Sequence, residues 1–117
     1  MSEDLLRQYI EAHNRGVRIG DFAPLVELFA HDGELSFRGL PRDFGPFSGR
    51  SEIAGAFAAH PPDDELVLDE VKGEEEDAVD AQYRWRDPGS PGGRLHLRAS
   101  EGRIAELTIH IDPEDRP

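Results

Sequence analysis

Between residues 65 and 111 the apolar side chains recur at every second position, and this alternation limits the fold more than any other feature of the chain. Val79, Ala81, Tyr83 and Trp85 share one parity, followed by Leu95, Leu97 and Ala99, and then by Ala105, Leu107, Ile109 and Ile111. A period of two marks strands with one face buried and the other in water. Strands are therefore expected at 65–72, 78–86, 93–100 and 103–111, joined by the acidic turn 73–77, the turn 87–92 and a tight Glu101-Gly102 turn. The order reads as a meander. For the last hairpin, a two-residue loop would set Leu97 against Glu106 and mix polar with apolar on each face. A three-residue loop, Ser100-Glu101-Gly102, sets Ala99 against Arg103, Leu95 against Leu107 and Leu97 against Ala105, so it is the predicted register.

The opening sixty residues follow another period. Leu5, Leu6, Tyr9, Ile10 and His13 recur at helical spacing from Ser2 to about Asn14, with Glu3 and Asp4 suited to the positive helix start. Gly16 and Gly20 are expected to bracket a loop. Asp21 reads as the N-cap of a second helix whose stripe is Phe22, Leu25, Val26 and Phe29, ended by His31-Asp32-Gly33. A short strand follows at 34–38, then a Gly/Pro-rich stretch at 39–49 that forms a loop or a very short strand. A third helix runs from about Arg50 to Ala59 and stops at His60-Pro61-Pro62. The architecture expected is α+β, with three N-terminal helices packed on a mainly antiparallel sheet.

A length of 117 residues fits a single domain, 1–117. A net charge of −12 repels phosphate backbones, so no nucleic-acid partner is expected. The absence of cysteine removes disulfides, thiolate nucleophiles and cysteine-ligated zinc. No apolar run approaches the roughly 20 residues of a membrane span, and the acidic N-terminus does not resemble a signal peptide. A cytoplasmic protein without a membrane partner is the expectation.

Several short segments carry a resemblance. Tyr9-Ile10-Glu11-Ala12 ahead of a Gly-Asp turn, Leu28-Phe29-Ala30-His31-Asp32-Gly33, Phe47-Ser48-Gly49-Arg50-Ser51-Glu52-Ile53 and Glu101-Gly102-Arg103-Ile104 stand in one order along nearly the whole chain. Together they resemble the NTF2-like superfamily, including SnoaL-like proteins and ketosteroid isomerases. The resemblance implies a cone-shaped fold whose curved sheet and helices enclose a pocket, commonly dimerised through the sheet. Ketosteroid isomerases pair a carboxylate base with a tyrosine and a protonated aspartic acid as oxyanion donors. Tyr9 matches the tyrosine donor, whereas the base should fall near Phe37 and the second donor near Leu95. Two of the three roles are unfilled, so that mechanism is not expected. His13, one turn beyond Tyr9 on the same face, is the candidate replacement base.

The candidate catalytic residues are thus Tyr9 and His13. Tyr83 and Trp85 on the apolar sheet face, with Phe37, Phe44, Phe47 and Phe57, are the remaining candidate ligand-binding residues, either lining a pocket or packing the core. The loop 39–49 is expected to gate access. Five histidines at 13, 31, 60, 96 and 110 form no ligand cluster, so no metal is expected. The lack of a Gly-rich phosphate loop points to no cofactor. Arg84, Arg86, Arg94 and Arg98 fall on the polar sheet face, to pair with Asp80, Glu106 and solvent or to meet acidic groups of a second copy in a homodimer. One reading is a protein binding a small apolar polyketide-like, terpenoid or steroid-like molecule, with any catalysis isomerase- or cyclase-like. The other is a non-enzymatic dimerisation or binding module with a filled or vestigial pocket.

Overall fold

The computed structural model describes residues 2–38, 44–59, 61–62, 65–86 and 92–111. The first helix, α1 (Ser2–Ile19), places Glu3 and Asp4 in its first turn and Arg18 in its last, charges that complement the helix dipole. Its buried stripe is Leu5, Leu6, Tyr9, Ile10 and His13. The helix passes Asn14 and Gly16, where a loop was expected, and ends at Gly20, whose left-handed φ of 79° closes it. Gly16 serves packing instead of breaking the helix, because a Cβ there would collide with the Phe22 ring. A glycine inside a helix costs about 1 kcal/mol against alanine. Here that cost is offset by bringing an aromatic ring down onto the helix backbone.

The second helix is short. α2 (Ala23–Glu27) starts one residue later than expected, with Phe22 and not Asp21 at its N-cap; Asp21, one residue earlier, accepts a hydrogen bond from the Ala23 amide at 3.0 Å, and Pro24 lies in the first turn. Phe29, expected on its stripe, is instead the first residue of β1 (Phe29–Arg38) and fully buried. The cause is capture by the far end of the chain: Leu28 C=O accepts the Ile104 amide at 2.9 Å, and Phe29 pairs with Ile104. His31-Asp32-Gly33 then lies within an irregularity of β1, between the Phe29–Ile104 and Glu34–Glu106 pairs.

After β1 come β2 (Phe44–Ser48) and α3 (Gly49–Ala59), followed by β3 (Leu66–Glu74), β4 (Ala78–Trp85), β5 (Gly93–Ser100) and β6 (Arg103–Ile111). The Ser48 amide donates to Glu52 Oε1 at 2.8 Å at the entry to α3. Because α3 follows two strands, only α1 and α2 precede the sheet. The six strands run in the order β2-β1-β6-β5-β4-β3, antiparallel except for the β1–β6 pair, so the sheet is mixed. The 39–43 part of the expected gating loop, the Phe44 side chain and His60 lie outside the described residues.

The last hairpin satisfies both demands that the sequence set against each other. Its loop is the two-residue Glu101-Gly102, with both φ values positive (54° and 80°), as a hairpin turn matched to strand twist requires. Ser100 pairs with Arg103 and Ala99 with Ile104. The register then shifts, so that Arg98 meets Glu106, Leu97 meets Leu107 and Leu95 meets Ile109. Ala105 is the extra residue of a bulge, which restores the apolar parity that the short turn alone would have lost. The predicted three-residue loop is therefore replaced, and Ile104 joins the core while Ala105 sits half-buried.

The inner sheet face is formed by Val79, Ala81, Tyr83, Leu95, Leu97, Leu107 and Ile109, all buried. α1 covers it, and three polar ties fix the helix along β3. The Glu3 amide donates to Glu74 Oε2 at 2.9 Å, the Asn14 amide side chain bonds the Leu66 backbone, and Arg18 meets Glu65 at 3.1 Å. α1 thus runs antiparallel to β3, an edge strand. On the outer face the arginines find carboxylates of their own chain: Arg84 with Asp69 at 3.8 Å, Arg86 with Glu65 at 3.2 Å and Arg98 with Glu106 at 3.4 Å. Exposed pairs of this kind contribute little to stability.

The Gly16–Phe22 contact sets a sign that can be measured. Gly16→Ala should gain about 1 kcal/mol of helix propensity but lose about 1–3 kcal/mol to overpacking, a net destabilisation in urea unfolding. In a Phe22→Ala background the same Gly16→Ala change should become stabilising. Stabilisation in both backgrounds would show that the ring does not need the glycine.

Candidate functional site

α1 delivers Tyr9 and His13 to one buried face because they are four residues apart. Tyr9 is fully buried and His13 only 3% exposed. From the sheet side, β4 brings Tyr83 and Trp85, two apart and therefore on one face. The rings meet. The His13 ring lies 6.2 Å from Tyr9, 6.3 Å from Trp85 and 6.4 Å from Phe22 between centroids. Trp85 meets Tyr83 edge-on at 5.4 Å, and Phe29 closes on Tyr9 at 6.4 Å in the same manner. Edge-to-face geometry is the favourable arrangement for such rings.

The Tyr9 and Tyr83 hydroxyls and the His13 ring carry polar atoms into this group of rings. The Tyr9 hydroxyl is buried and makes no hydrogen bond among the described residues. Burial pushes its phenol far above the usual tyrosine range, and the nearby Tyr83 phenol pushes in the same direction. Tyr9 is therefore a neutral hydrogen-bond donor. His13 Nδ1 lies 3.1 Å from Asn14 Oδ1. A phenol and an imidazole on adjacent turns are groups able to donate a hydrogen bond and to exchange a proton.

The other candidates divide. Phe57 joins the group through Phe22, on which it stacks at 5.2 Å. Outside that stack, between α2 and α3, opens a cleft of about 610 Å³ lined by Gly20, Phe22, Ala23, Val26, Phe57 and Pro61. Phe37 and Phe47 pair with each other at 6.5 Å across the first two strands. The Phe44 backbone pairs opposite Phe37. At the two positions where the resemblance led us to expect acids, Phe37 is half-buried and Leu95 is core. Among the described residues no group of three or more His, Asp or Glu could hold a metal ion, and no helix is long and apolar enough to cross a membrane.

Phe22 and Asn14 are the members of the site that the sequence did not single out. Phe22 was assigned to the stripe of the second helix, and the one hint of its role was Gly16. Asn14 sat at the presumed helix end, and its partner Leu66 is 52 residues away.

No protein-family model and no curated protein matches the sequence. Solved structures do match. An NTF2-like protein of unknown function from Cytophaga hutchinsonii superposes with a TM-score of 0.70 at 18% identity, over 97% of this chain and 91% of that one. The epoxide hydrolase/cyclase-like enzyme SalBIII, of pyran ring formation in the polyether salinomycin, gives a TM-score of 0.74 at 14% identity, over 97% and 92%. A computationally designed 17-OHP binder gives 0.65 at 15% identity, over 89% and 88%. With its mixed six-stranded sheet and helices matched over nearly the full length of these structures, the chain has the fold of the NTF2-like superfamily.

Proposed function

We propose that the chain binds a small, largely apolar molecule in a pocket walled by Tyr9, His13, Tyr83 and Trp85, with Phe22 and Phe57 toward the α2–α3 cleft. One observation carries the reading: the Tyr9 hydroxyl is enclosed without a hydrogen-bond partner among the described residues. Leaving a buried donor unmade costs about 1–3 kcal/mol. A ligand oxygen would remove that cost, and the cost explains nothing in a filled core. The fold supports the reading, since its solved examples include a cyclase-like enzyme and a designed small-molecule binder. In this reading the sheet curves around the pocket as the wall of a cone. Any chemistry is isomerase- or cyclase-like, with Tyr9 donating to a ligand oxygen and His13 accepting a proton. It does not use the carboxylates of ketosteroid isomerases, whose positions hold Phe37 and Leu95. The alternative is a binding module without turnover, and the two part on whether His13→Ala abolishes product formation or only weakens binding.

A panel of steroid, terpenoid and polyketide-like compounds, read by fluorescence of the single tryptophan and by melting temperature, tests the pocket. Tyr9→Phe should raise the melting temperature of the unliganded protein, by the equivalent of about 1 kcal/mol, while weakening ligand binding about 5- to 10-fold. A variant that melts lower and binds equally well would assign Tyr9 to packing alone.

Alkaline titration gives a second check. The folded Tyr9 phenol lies above its unfolded value of 10.0, so its contribution to stability is full below that pH and is lost as pH rises beyond it. In a Tyr83→Phe variant Tyr9 is the one tyrosine left of two. Its phenolate absorbance should then appear only together with unfolding. Ionisation near pH 10 in the folded state would mean the hydroxyl reaches water.

The same reading assigns the outer sheet face to a second copy of the chain. Sedimentation at low and high salt should give a dimer, and a monomer at every salt concentration would remove the assignment.

A further inference from the structure

The ladder between β1 and β6 parts at one place. Phe29 pairs with Ile104 and Glu34 with Glu106, so residues 30–33 of β1 stand against Ala105 alone. At this gap, on the charged side of the sheet, lies a cleft of about 660 Å³. That volume is within the range of small-molecule sites, and interrupted ladders are a common setting for them because they re-aim side chains. The cleft shares no lining residue with the rings around His13. Two guanidiniums in it are anchored without being neutralised. Arg50 Nε donates to the Phe29 carbonyl at 3.0 Å, and Arg103 Nη1 donates to the Glu27 carbonyl at 2.6 Å. The Leu28 carbonyl between them takes the Ile104 amide, so both arginines are tied to one short stretch of backbone. Residues two apart have Cα atoms separated by at most about 7 Å. Among the described residues neither arginine pairs with a carboxylate.

The other charges in the cleft decide the class of ligand. Arg98 and Glu106 pair with each other at 3.4 Å. Asp32, Glu34 and Glu101 also line it, and among the described residues none of them meets a cation. Glu34 accepts only from the Ser48 hydroxyl, at 3.4 Å. A simple anion would be drawn by the two arginines but repelled by three carboxylates and by a net charge of −12. A simple cation would meet the reverse conflict at the arginines. A molecule carrying both charges meets neither. We propose that this cleft binds small amino-acid-like zwitterions, with the ligand carboxylate on Arg50 and Arg103 and its ammonium among Asp32, Glu34 and Glu101. Each guanidinium has five N–H donors and spends one on its carbonyl, which leaves a forked contact open to a carboxylate.

Proton–nitrogen NMR titration of ¹⁵N-labelled protein tests the site with probes of matched length: 6-aminohexanoate, hexanoate and hexylammonium, with 4-aminobutanoate as a shorter zwitterion. A zwitterion should shift the amides of Asp32, Gly33, Gly102 and Ala105, and bind about tenfold more tightly than hexanoate or hexylammonium. Combining Arg50→Gln with Arg103→Gln should abolish the preference over hexylammonium. Glu34→Gln should lower the preference over hexanoate several-fold. That variant touches neither carbonyl tie, so it tests the cleft even where the arginine variant fails to fold. Hexanoate binding as tightly as the zwitterions would make this a plain anion site and overturn the proposal. Hexylammonium binding as tightly would remove the arginines from recognition and overturn it too. So would shifts confined to residues around Trp85, or no shift of the cleft amides with any probe.

Discussion

A sheet that is apolar on one face and charged on the other cannot leave the apolar face in water, and the covering of that face by α1 is the contact on which the rest of the molecule depends. Val79, Ala81, Leu95, Leu97, Leu107 and Ile109 would otherwise be exposed together. At about 25 cal/mol per Å² of apolar surface, burying such a face dominates the balance of folding. The stripe that does so on α1 is not wholly apolar. Leu5, Leu6 and Ile10 supply packing, while Tyr9 and His13 carry polar atoms into the same interface. The site is therefore part of the core and not an addition to its surface. Substitutions there act on folding and on any ligand at once.

The way α1 is held explains how it tolerates those polar atoms. Its ties to β3 lie at both ends and near the C-terminal third, through Glu3, Asn14 and Arg18. The Asn14 tie is the least exposed of the three and the most constrained, because both hydrogen bonds go to one residue's backbone. It occupies both backbone groups of Leu66, the first residue of the β3 edge. Held in that way, the helix keeps its register over the sheet even where Tyr9 lacks a partner among the described residues.

How much of this was legible in the sequence depended on the range of the interactions involved. The strands at 78–86, 93–100 and 103–111 were readable to within a residue because period-two patterning and turn residues are local signals. The faces were readable for the same reason, which put Tyr83 and Trp85 on the apolar side of the sheet, whereas Tyr9 and His13 were singled out by the resemblance and their helical spacing. Failures came where a distant segment decides. Phe29 fits a helical stripe by spacing, yet pairing with Ile104 draws it into β1. Gly16 carries the local signal of a break, but Phe22 needs the space. Phe37 and Phe47 were legible as aromatic and not as partners of each other. Phe22 and Asn14 have roles that exist only in three dimensions.

The bulge at Ala105 divides β6 into two stretches with separate bookkeeping of inside and outside. Arg103 and Ile104 answer to the turn, and Glu106 to Ile111 answer to the core. If Ala105 were deleted, Ile104 would still face inward, Glu106 outward and Leu107 inward, and each would keep its partner on β5. Deletion of Thr108 would instead turn Ile109 away from the core. Position 105 is thus a point at which a lineage of such chains can gain or lose one residue without rewriting its interior. Drift in length at that point leaves the fold intact while it spoils the correspondence of one sequence with another.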